Sequence, residues 1–80
     1  MPVVFRHKGI RIFFYSNEGQ PREPLHVHAQ RGASLAKIWL QTEVAVADNY
    51  GFSPSELKDL IEVIQANAAL IERTWNEYFG

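Results

Sequence analysis

The fold is decided by the stretch at residues 25–40, which reads LHVHAQRGASLAKIWL. Two runs in which residues alternate in polarity, 25–31 and 34–40, flank the dipeptide Gly32-Ala33. Alternation with a period of two is typical of β-strands. Gly at the first central position of a two-residue loop is typical of a type II′ turn. The stretch therefore predicts a β-hairpin that closes on the pair Arg31/Ser34.

The closing pair determines which side chains share each face of the hairpin. One face is entirely apolar, and its predicted pairs are Leu25/Leu40, Val27/Ile38 and Ala29/Ala36. The other face is polar and aromatic, with predicted pairs His26/Trp39, His28/Lys37 and Gln30/Leu35. Because one face is wholly apolar, the register is self-consistent, and it brings two imidazoles onto one surface.

A second hairpin is predicted upstream, where Val3–His7 and residues 10–15 flank Lys8-Gly9. A type I′ turn would give the apolar pairs Phe5/Ile12 and Val3/Phe14, with Arg6/Arg11 and Val4/Phe13 on the other face. A type I turn with a G1 bulge is the alternative, and it would shift the register by one residue. In the type I′ register two arginines lie opposite each other, where they repel unless an anion lies between them.

Two further segments connect these hairpins to the rest of the chain. Residues 16–23 are polar and contain Gly and Pro, which predicts a loop. Residues 44–47 (Val-Ala-Val-Ala) fit either a short fifth strand or the start of a helical turn. Tyr50-Gly51 is expected to break the chain before the next element.

The C-terminal third predicts a helix over residues 54–78, with a bend near Ala66-Asn67 as the alternative to a straight course. Ser53 fits the N-cap, Pro54 the first helical position and Glu56 the third position of a capping box. An apolar stripe with helical spacing follows, at residues 57, 60, 61, 64, 68, 71, 75 and 78. The predicted fold is therefore α+β, a small antiparallel sheet over residues 3–40 packed on a long C-terminal helix in one domain, 1–80.

Composition excludes several classes of protein. The 80 residues include no Cys, so a disulfide framework, a thiolate metal site and a cysteine nucleophile are ruled out. No apolar run approaches the ~20 residues that span a bilayer, and the N-terminus lacks the pattern of a signal peptide. We therefore expect a cytoplasmic protein that does not contact a membrane.

The net charge of −1 conceals an uneven distribution along the chain. Residues 1–37 contain six basic and two acidic side chains, whereas residues 38–80 contain two basic and seven acidic side chains. Such a distribution predicts one surface that attracts anions and another that repels them, unless the two halves neutralise each other.

The polar face of the predicted sheet is the candidate functional surface. Its expected binding residues, to which Glu23 is added from the preceding loop, are Arg6, Arg11, Tyr15, Glu23, His26, His28, Lys37 and Trp39. Four interpretations of this face remain open: a metal site, acid–base catalysis, a platform for single-stranded RNA, and an interface with another protein.

Each interpretation depends on a different property of these residues. A His-x-His strand can supply two metal ligands, but Lys37 opposite His28 disfavours a cation, so we expect neither a metal nor another cofactor. His26, His28 and Lys37 are the catalytic candidates, because an acid, a base and a cation are what metal-independent RNA cleavage requires. Aromatic and basic side chains on an open sheet also suit RNA, and the same residue types form protein interfaces.

The chain also resembles a bacterial family known as domain of unknown function 4160. The resemblance covers nearly the full length and is carried by the segments EPLHVH (23–28), KIWL (37–40), GFSPSEL (51–57), and Asn67 with WNEYFG (75–80). The family pattern often has a second Pro where Leu25 stands here. Signature positions carried over from the family are Glu23, Pro24, His26, His28, Lys37, Trp39, Gly51, Phe52 and Trp75.

The resemblance implies a partner but no catalytic role for any residue. Members of the family are often encoded beside another small domain of unknown function, and such pairs are regarded as candidate toxin–antitoxin modules. We therefore expect one member of a two-protein module of this kind, acting through the His/Lys/Trp face on a small protein partner or on a second copy of itself. The alternative is an RNA-binding protein or a metal-independent ribonuclease that uses the His-x-His strand.

Overall fold

The computed structural model describes residues 3–15, 24–41 and 43–79 as an α+β structure. Within these ranges, five antiparallel strands lie side by side in chain order. The strands are β1 (Val3–His7), β2 (Ile10–Phe13), β3 (His26–Arg31), β4 (Ser34–Trp39) and β5 (Ala45–Tyr50), and the helices are α1 (Pro54–Ala66) and α2 (Ala68–Phe79). The predicted loop at residues 16–23 lies outside the described residues, and so does Glu23.

The hairpin of β3 and β4 has the register that the sequence predicts. It closes on Arg31/Ser34, and Gly32 has the positive φ of 58° that a type II′ turn requires at its first central position. The pairs His26/Trp39 and His28/Lys37 are both confirmed. The pairing continues beyond the strands, because the N–H of Leu40 donates to the carbonyl of Leu25 at 3.0 Å.

The hairpin of β1 and β2 matches its prediction near the turn and departs from it further away. Lys8 and Gly9 have φ values of 51° and 76°, as a type I′ turn requires, and the pairs Phe5/Ile12 and Arg6/Arg11 are confirmed. The predicted pairs Val3/Phe14 and Val4/Phe13 are wrong. An irregularity between Val3 and Phe5 shifts the register, so that Val3 pairs with Phe13 instead.

Of the two alternatives open for residues 44–47, the strand is the one observed, because Ala45–Tyr50 form a fifth strand, β5, that extends the sheet beyond residue 40. The pairing between β4 and β5 shifts between Lys37 and Ile38, because Lys37 pairs with Asp48 whereas Ile38 pairs with Val46. Ala47 is therefore the extra residue of a β-bulge. Val46 packs against the core, and the bulge allows Asp48 to face the opposite side of the sheet.

The strand ends at Gly51, which has a φ of 93°. A Cβ at this position would lie 2.7 Å from Oγ of Ser34 and 3.1 Å from its Cα. Only glycine therefore fits between the end of β5 and the start of β4 without strain.

The predicted N-terminus of the helical region is confirmed, and the predicted helix over residues 54–78 is partly matched, because it is divided near Ala66-Asn67, where the sequence allows a bend. Ser53 and Glu56 form the reciprocal bonds of a capping box, and Pro54 begins α1. The helix is interrupted at Asn67, whose side-chain amide donates to the carbonyl of Val63 at 2.8 Å. This side-chain bond competes with the backbone ladder, and α2 begins at the next residue.

The hydrophobic core lies between the helices and one face of the sheet, which we call the inner face. Inner-face residues such as Ile12, Val27 and Ile38 are completely buried, as are Leu60 and Ile64 of α1. His7 also faces the helices, since its Nε2 lies 2.9 Å from Oδ2 of Asp59. None of the helices in the described ranges is long and apolar enough to cross a membrane.

Candidate functional site

The candidate site lies on the opposite side of the sheet, which we call the outer face. Strand pairing orders its side chains into two rows that run across the strands. The turn-side row crosses all five strands and consists of Arg6, Arg11, Gln30, Leu35 and Tyr50. The central row also crosses all five strands and consists of Val3, Phe13, His28, Lys37 and Asp48.

His26 is completely buried, although the sequence predicts it on an open face. Its Nδ1 lies 2.8 Å from the carbonyl oxygen of Pro24, within hydrogen-bond distance. Its ring contacts Trp39 from β4 and Trp75 from α2, with centroids 5.3 Å apart in each case. Because α2 supplies one of these contacts, His26 does not lie on a surface that points wholly away from the helices. This imidazole is part of the packing between sheet and helix.

His28 retains only 8 % of its exposure and contacts other rings on the outer face. The centroid distances are 4.6 Å to Tyr15, 5.6 Å to Phe13 and 5.2 Å to His26. Phe13 is itself completely buried. We call Phe13, His26 and His28 the closed part of the outer face.

Other side chains of the outer face are open to solvent. Leu35 and Tyr50 pair across β4 and β5 and are 36 % and 74 % exposed. Arg6 and Asp48 are also exposed. We call Arg6, Leu35, Asp48 and Tyr50 the open part of the outer face.

Lys37 lies between the closed and open parts. It pairs with His28 on one side and with Asp48 on the other. Its Nζ lies 4.5 Å from the ring centroid of Trp39, which is a cation–π contact. The row therefore places an imidazole, an ammonium and a carboxylate on three neighbouring strands.

Asp48 and Tyr50 are the functional candidates that the sequence prediction missed. The four-residue run 44–47 left β5 undecided between strand and helical turn, and Tyr50 was expected only to break the chain. In a regular strand Asp48 would share a face with Val46, which packs on the core. The bulge at Ala47 removes that constraint, and no simple sequence signal predicts its position.

A pocket of about 200 Å³ opens on the outer face at the junction of the two parts. Asp48 and Tyr50 lie on its β5 side, and His28 and Tyr15 lie on the side of the closed part. The described residues that line it are Tyr15, His28, Leu35, Ala36, Lys37, Asp48 and Tyr50. The predicted site residues Tyr15, His28 and Lys37 therefore come together here, whereas His26 and Trp39 do not line the pocket.

The two arginines of the predicted binding set lie at the far side of the sheet, on β1 and β2. Arg11 donates from Nη2 to Oε1 of Gln30, and its guanidinium lies 4.7 Å from the ring centroid of Phe13. These two contacts hold the guanidinium of Arg11 in place without neutralising its charge. Arg6 is exposed and forms the basic margin of the open part.

Three ionic contacts with two carboxylates of α1 tie the turn ends of the strands to this helix on the inner side. Arg31 pairs with Glu56, and both His7 and Lys8 approach Asp59, with Lys8 Nζ 3.2 Å from Oδ2. The backbone N–H of Ser53, followed by the Arg31 guanidinium, lowers the pKa of Glu56 to about 2. Hydrogen bonds from His7 and Lys8 lower the pKa of Asp59. These contacts fix the orientation of the turns beside the open part.

The geometry limits the chemistry of the site. Among the described residues, no three His, Asp or Glu side chains lie together as metal ligands would. Acid–base catalysis by two histidines requires both to reach one substrate, and His26 is completely buried. A stacking platform for RNA requires exposed rings, whereas Phe13 and His26 are covered. The arrangement is better suited to contact through the open part and the pocket.

Comparisons with known proteins agree with this description at the level of the family. A family profile described as Domain of unknown function (DUF4160) matches residues 9–76, which include β2 through most of α2 and all the described residues that line the pocket. No curated protein and no solved structure gave a match. Because the matched range covers most of the chain, this protein belongs to the DUF4160 family.

Proposed function

We propose that this chain is a protein-binding module that receives a partner protein on the open part of its outer face. The observation that carries the proposal is the pairing of two exposed apolar side chains, Leu35 and Tyr50, at the edge of a pocket. Large aromatic side chains beside a pocket are typical of the residues that dominate binding energy at protein interfaces.

The support for this surface is rigid, which favours binding. Tyr50 and Asp48 belong to a strand that pairs with β4 and ends at Gly51 against Ser34. A surface built on paired strands loses little conformational entropy when a partner docks. The partner therefore meets side chains that are already in place.

The family resemblance suggests the kind of partner. It implies a second small protein encoded beside this one, as in toxin–antitoxin-like modules, and we include that role in the proposal. In such a module the chain would act by occupying or masking its partner. The outer face provides the contact surface, and no catalytic step is assigned to it.

RNA binding is the alternative, and two features disfavour it. The rings of Phe13 and His26 are buried and therefore not available for base stacking. In addition, the bulge places the carboxylate of Asp48 beside Lys37, where it would repel a phosphate. Arg6 remains as an exposed cation, but a single arginine is a weak basis for an RNA site.

The proposal is tested by identifying and reconstituting the complex. The tagged protein is purified from its native host, co-purifying proteins are identified by mass spectrometry, and each candidate is then titrated as a purified protein by calorimetry. We expect Tyr50→Ala to raise the dissociation constant at least tenfold, which corresponds to a loss of about 1.4 kcal/mol or more in binding free energy. Tyr78→Ala is the matched control, since Tyr78 is a half-exposed tyrosine on α2.

A nuclease and salt series separates the two alternatives. A complex held by the open part should survive nuclease treatment and change little in affinity between low and high salt. RNA binding should instead weaken steeply with salt, because phosphate contacts release counterions. Equal affinities of the Tyr50→Ala variant and the wild type would refute the proposed surface, and an RNA complex with a steep salt dependence would replace the proposal.

A further inference from the structure

We propose that the pocket on the outer face binds an arginine side chain that the partner protein inserts. This inference rests on the proposed function, because the partner supplies the arginine. The residues that carry it are Asp48, Tyr50 and Leu35, which lie on the β4–β5 side of the pocket. The size of the pocket, its charge, its aromatic surface and the bulge in β5 support this inference.

The size of the pocket indicates a single side chain. Its volume is about 200 Å³, below the ~300–1,000 Å³ that is usual for sites of cofactors and drug-sized ligands. One long side chain fits such a volume, while a nucleotide does not. Because the proposed function places a partner protein on this face, the occupant is expected to be one of the partner's side chains.

The charge at the mouth of the pocket favours a cation. Asp48 is exposed, and its Oδ1 accepts a hydrogen bond from the backbone N–H of Asn49 at 2.9 Å. This bond orients the carboxylate, which has about four acceptor positions in all and so can still receive a donor. Lys37 also lines the pocket, but its ammonium lies over Trp39, which is not one of the described lining residues. Among the described lining residues, Asp48 therefore supplies the carboxylate, while the ammonium of Lys37 is held over the ring of Trp39.

The rings beside Asp48 favour a guanidinium over an ammonium. Tyr50 lies two residues beyond Asp48 and is 74 % exposed, and Tyr15 lines the pocket from the other side. A guanidinium is planar, stacks on aromatic rings and pairs with a carboxylate through two parallel hydrogen bonds. Leu35 offers an apolar surface on which the methylene stem can lie.

The bulge in β5 is an independent observation that points to the same site. Without the extra residue Ala47, the pairing of Ile38 with Val46 would be incompatible with the pairing of Lys37 with Asp48. Bulges of this kind frequently re-aim a side chain beside a functional site. Here the bulge turns a carboxylate from the core side of the strand toward the pocket.

The test uses a probe that carries the arginine side chain alone. The ¹⁵N-labelled full chain is titrated with N-acetyl-arginine-N-methylamide at constant ionic strength and followed by NMR. We expect saturable shifts of the backbone signals of Leu35, Asp48 and Tyr50, with a dissociation constant on the order of 10 mM. The citrulline analogue has nearly the same shape without the charge, and it should bind about tenfold more weakly or not at all.

Two variants locate the effect. Asp48→Asn should abolish saturable binding of the arginine probe, whereas Glu43→Gln, which removes a carboxylate near the start of β5 outside this pocket, should leave it unchanged. Equal binding of the arginine and citrulline probes would overturn the inference. So would a preference for N-acetyl-glutamate-N-methylamide, or unchanged binding by the Asp48→Asn variant.

The outcome can be separated from that of the proposed function. A partner whose affinity depends on Tyr50 while the arginine probe fails to bind would refute the arginine and leave the protein interface intact. Saturable binding of the arginine probe without any partner that depends on Tyr50 would refute the interface and leave the pocket as a guanidinium site.

Discussion

The closed and open parts of the outer face derive from the same alternating pattern, yet they differ completely in exposure. Phe13 and His26 are fully buried, whereas Tyr50 is 74 % exposed and Leu35 is 36 % exposed. All four occupy strand positions that point away from the inner face of the sheet. Alternation, interrupted in β5 by the bulge at Ala47, therefore determines the side of the sheet on which a residue lies and leaves its exposure undetermined.

The cause of the difference is visible in the contacts of His26. Its ring packs against Trp75 of α2 as well as Trp39 of β4, and Trp75 also packs against Phe14 and Phe79. The second helix therefore seals one end of the sheet. At the other end the helix contacts are ionic and lie on the inner side, at Arg31/Glu56 and His7/Asp59.

The burial of His26 changes the interpretation of His-x-His, the most distinctive sequence motif. His-x-His suggests chemistry, but its first histidine is a packed core residue that is bonded to a backbone carbonyl. Two of the exposed side chains of the open part, Asp48 and Tyr50, lie instead on β5, which the sequence barely specifies. A motif that characterises a family can thus reflect the requirements of the fold, while the contact residues lie on a less conspicuous strand.

The strongest test of the closed part is Trp75→Ala. The substitution removes ring contacts with Phe14, His26 and Phe79, and we expect it to cost about 3–5 kcal/mol in the free energy of unfolding. That amount is comparable to the whole stability of a small domain, so urea unfolding followed by circular dichroism should show partial or complete loss of the folded state. Tyr78→Ala, at a half-exposed ring of the same helix, should cost less than about 1.5 kcal/mol. A small effect of Trp75→Ala would contradict sealing by α2.

Gly51→Ala tests how the open part is held in place. The new Cβ would clash with Ser34, and the alanine backbone would have to keep a φ of 93°. We therefore expect a loss of about 2–3 kcal/mol in the free energy of unfolding. Gly32→Ala is the matched control, because it has a positive φ but nothing within 4 Å of its Cβ, and it should cost about 1 kcal/mol. Urea titration of both variants provides the measurement, and equal losses would show that the approach of Gly51 to Ser34 is unimportant.

The parts of the fold that could be predicted from sequence are those governed by local rules. Gly32-Ala33 and the alternation around it gave every pair between β3 and β4. The capping box gave the start of α1. In each case a short sequence signal and the tertiary structure require the same conformation.

The remaining features depend on contacts that a single sequence does not reveal. The bulge at Ala47 satisfies two demands at once, since it buries Val46 and turns Asp48 outward. At Asn67 the sequence predicts at most a bend, whereas the helix is interrupted there and the Asn67 side chain donates a hydrogen bond to the carbonyl of Val63. The burial of His26 depends on Trp75, which is distant in sequence. The sequence therefore predicted the register that places His26 and His28 beside Trp39 and Lys37, but it did not predict that both histidines are buried.

His26→Phe sharpens the comparison, because it keeps a ring in the closed part and removes the hydrogen bond to Pro24. The carbonyl of Pro24, an exposed residue, loses this partner, so we expect a loss of about 0.5–1.5 kcal/mol in the free energy of unfolding. Calorimetric affinity for the identified partner should remain within twofold of the wild type. If the variant remains as stable as the wild type but no longer binds the partner, the closed part is itself the functional surface.

The smallest effect concerns the ionic contacts at the turn end. Glu56 has its pKa lowered from an ordinary 4.5 to about 2 by the N–H of Ser53 and the Arg31 guanidinium. A lowered carboxylate pKa stabilises the folded state above the unfolded-state pKa, and this contribution is lost as pH falls from about 4.5 toward 2. The urea midpoint of the wild type should therefore exceed that of Glu56→Gln near pH 6, and the difference should vanish near pH 2. When both proteins also carry Arg31→Gln, the difference in urea midpoint near pH 6 should shrink by less than half, because the backbone N–H of Ser53 is the larger cause of the lowered pKa. If the difference disappears, the Arg31 guanidinium is the larger cause.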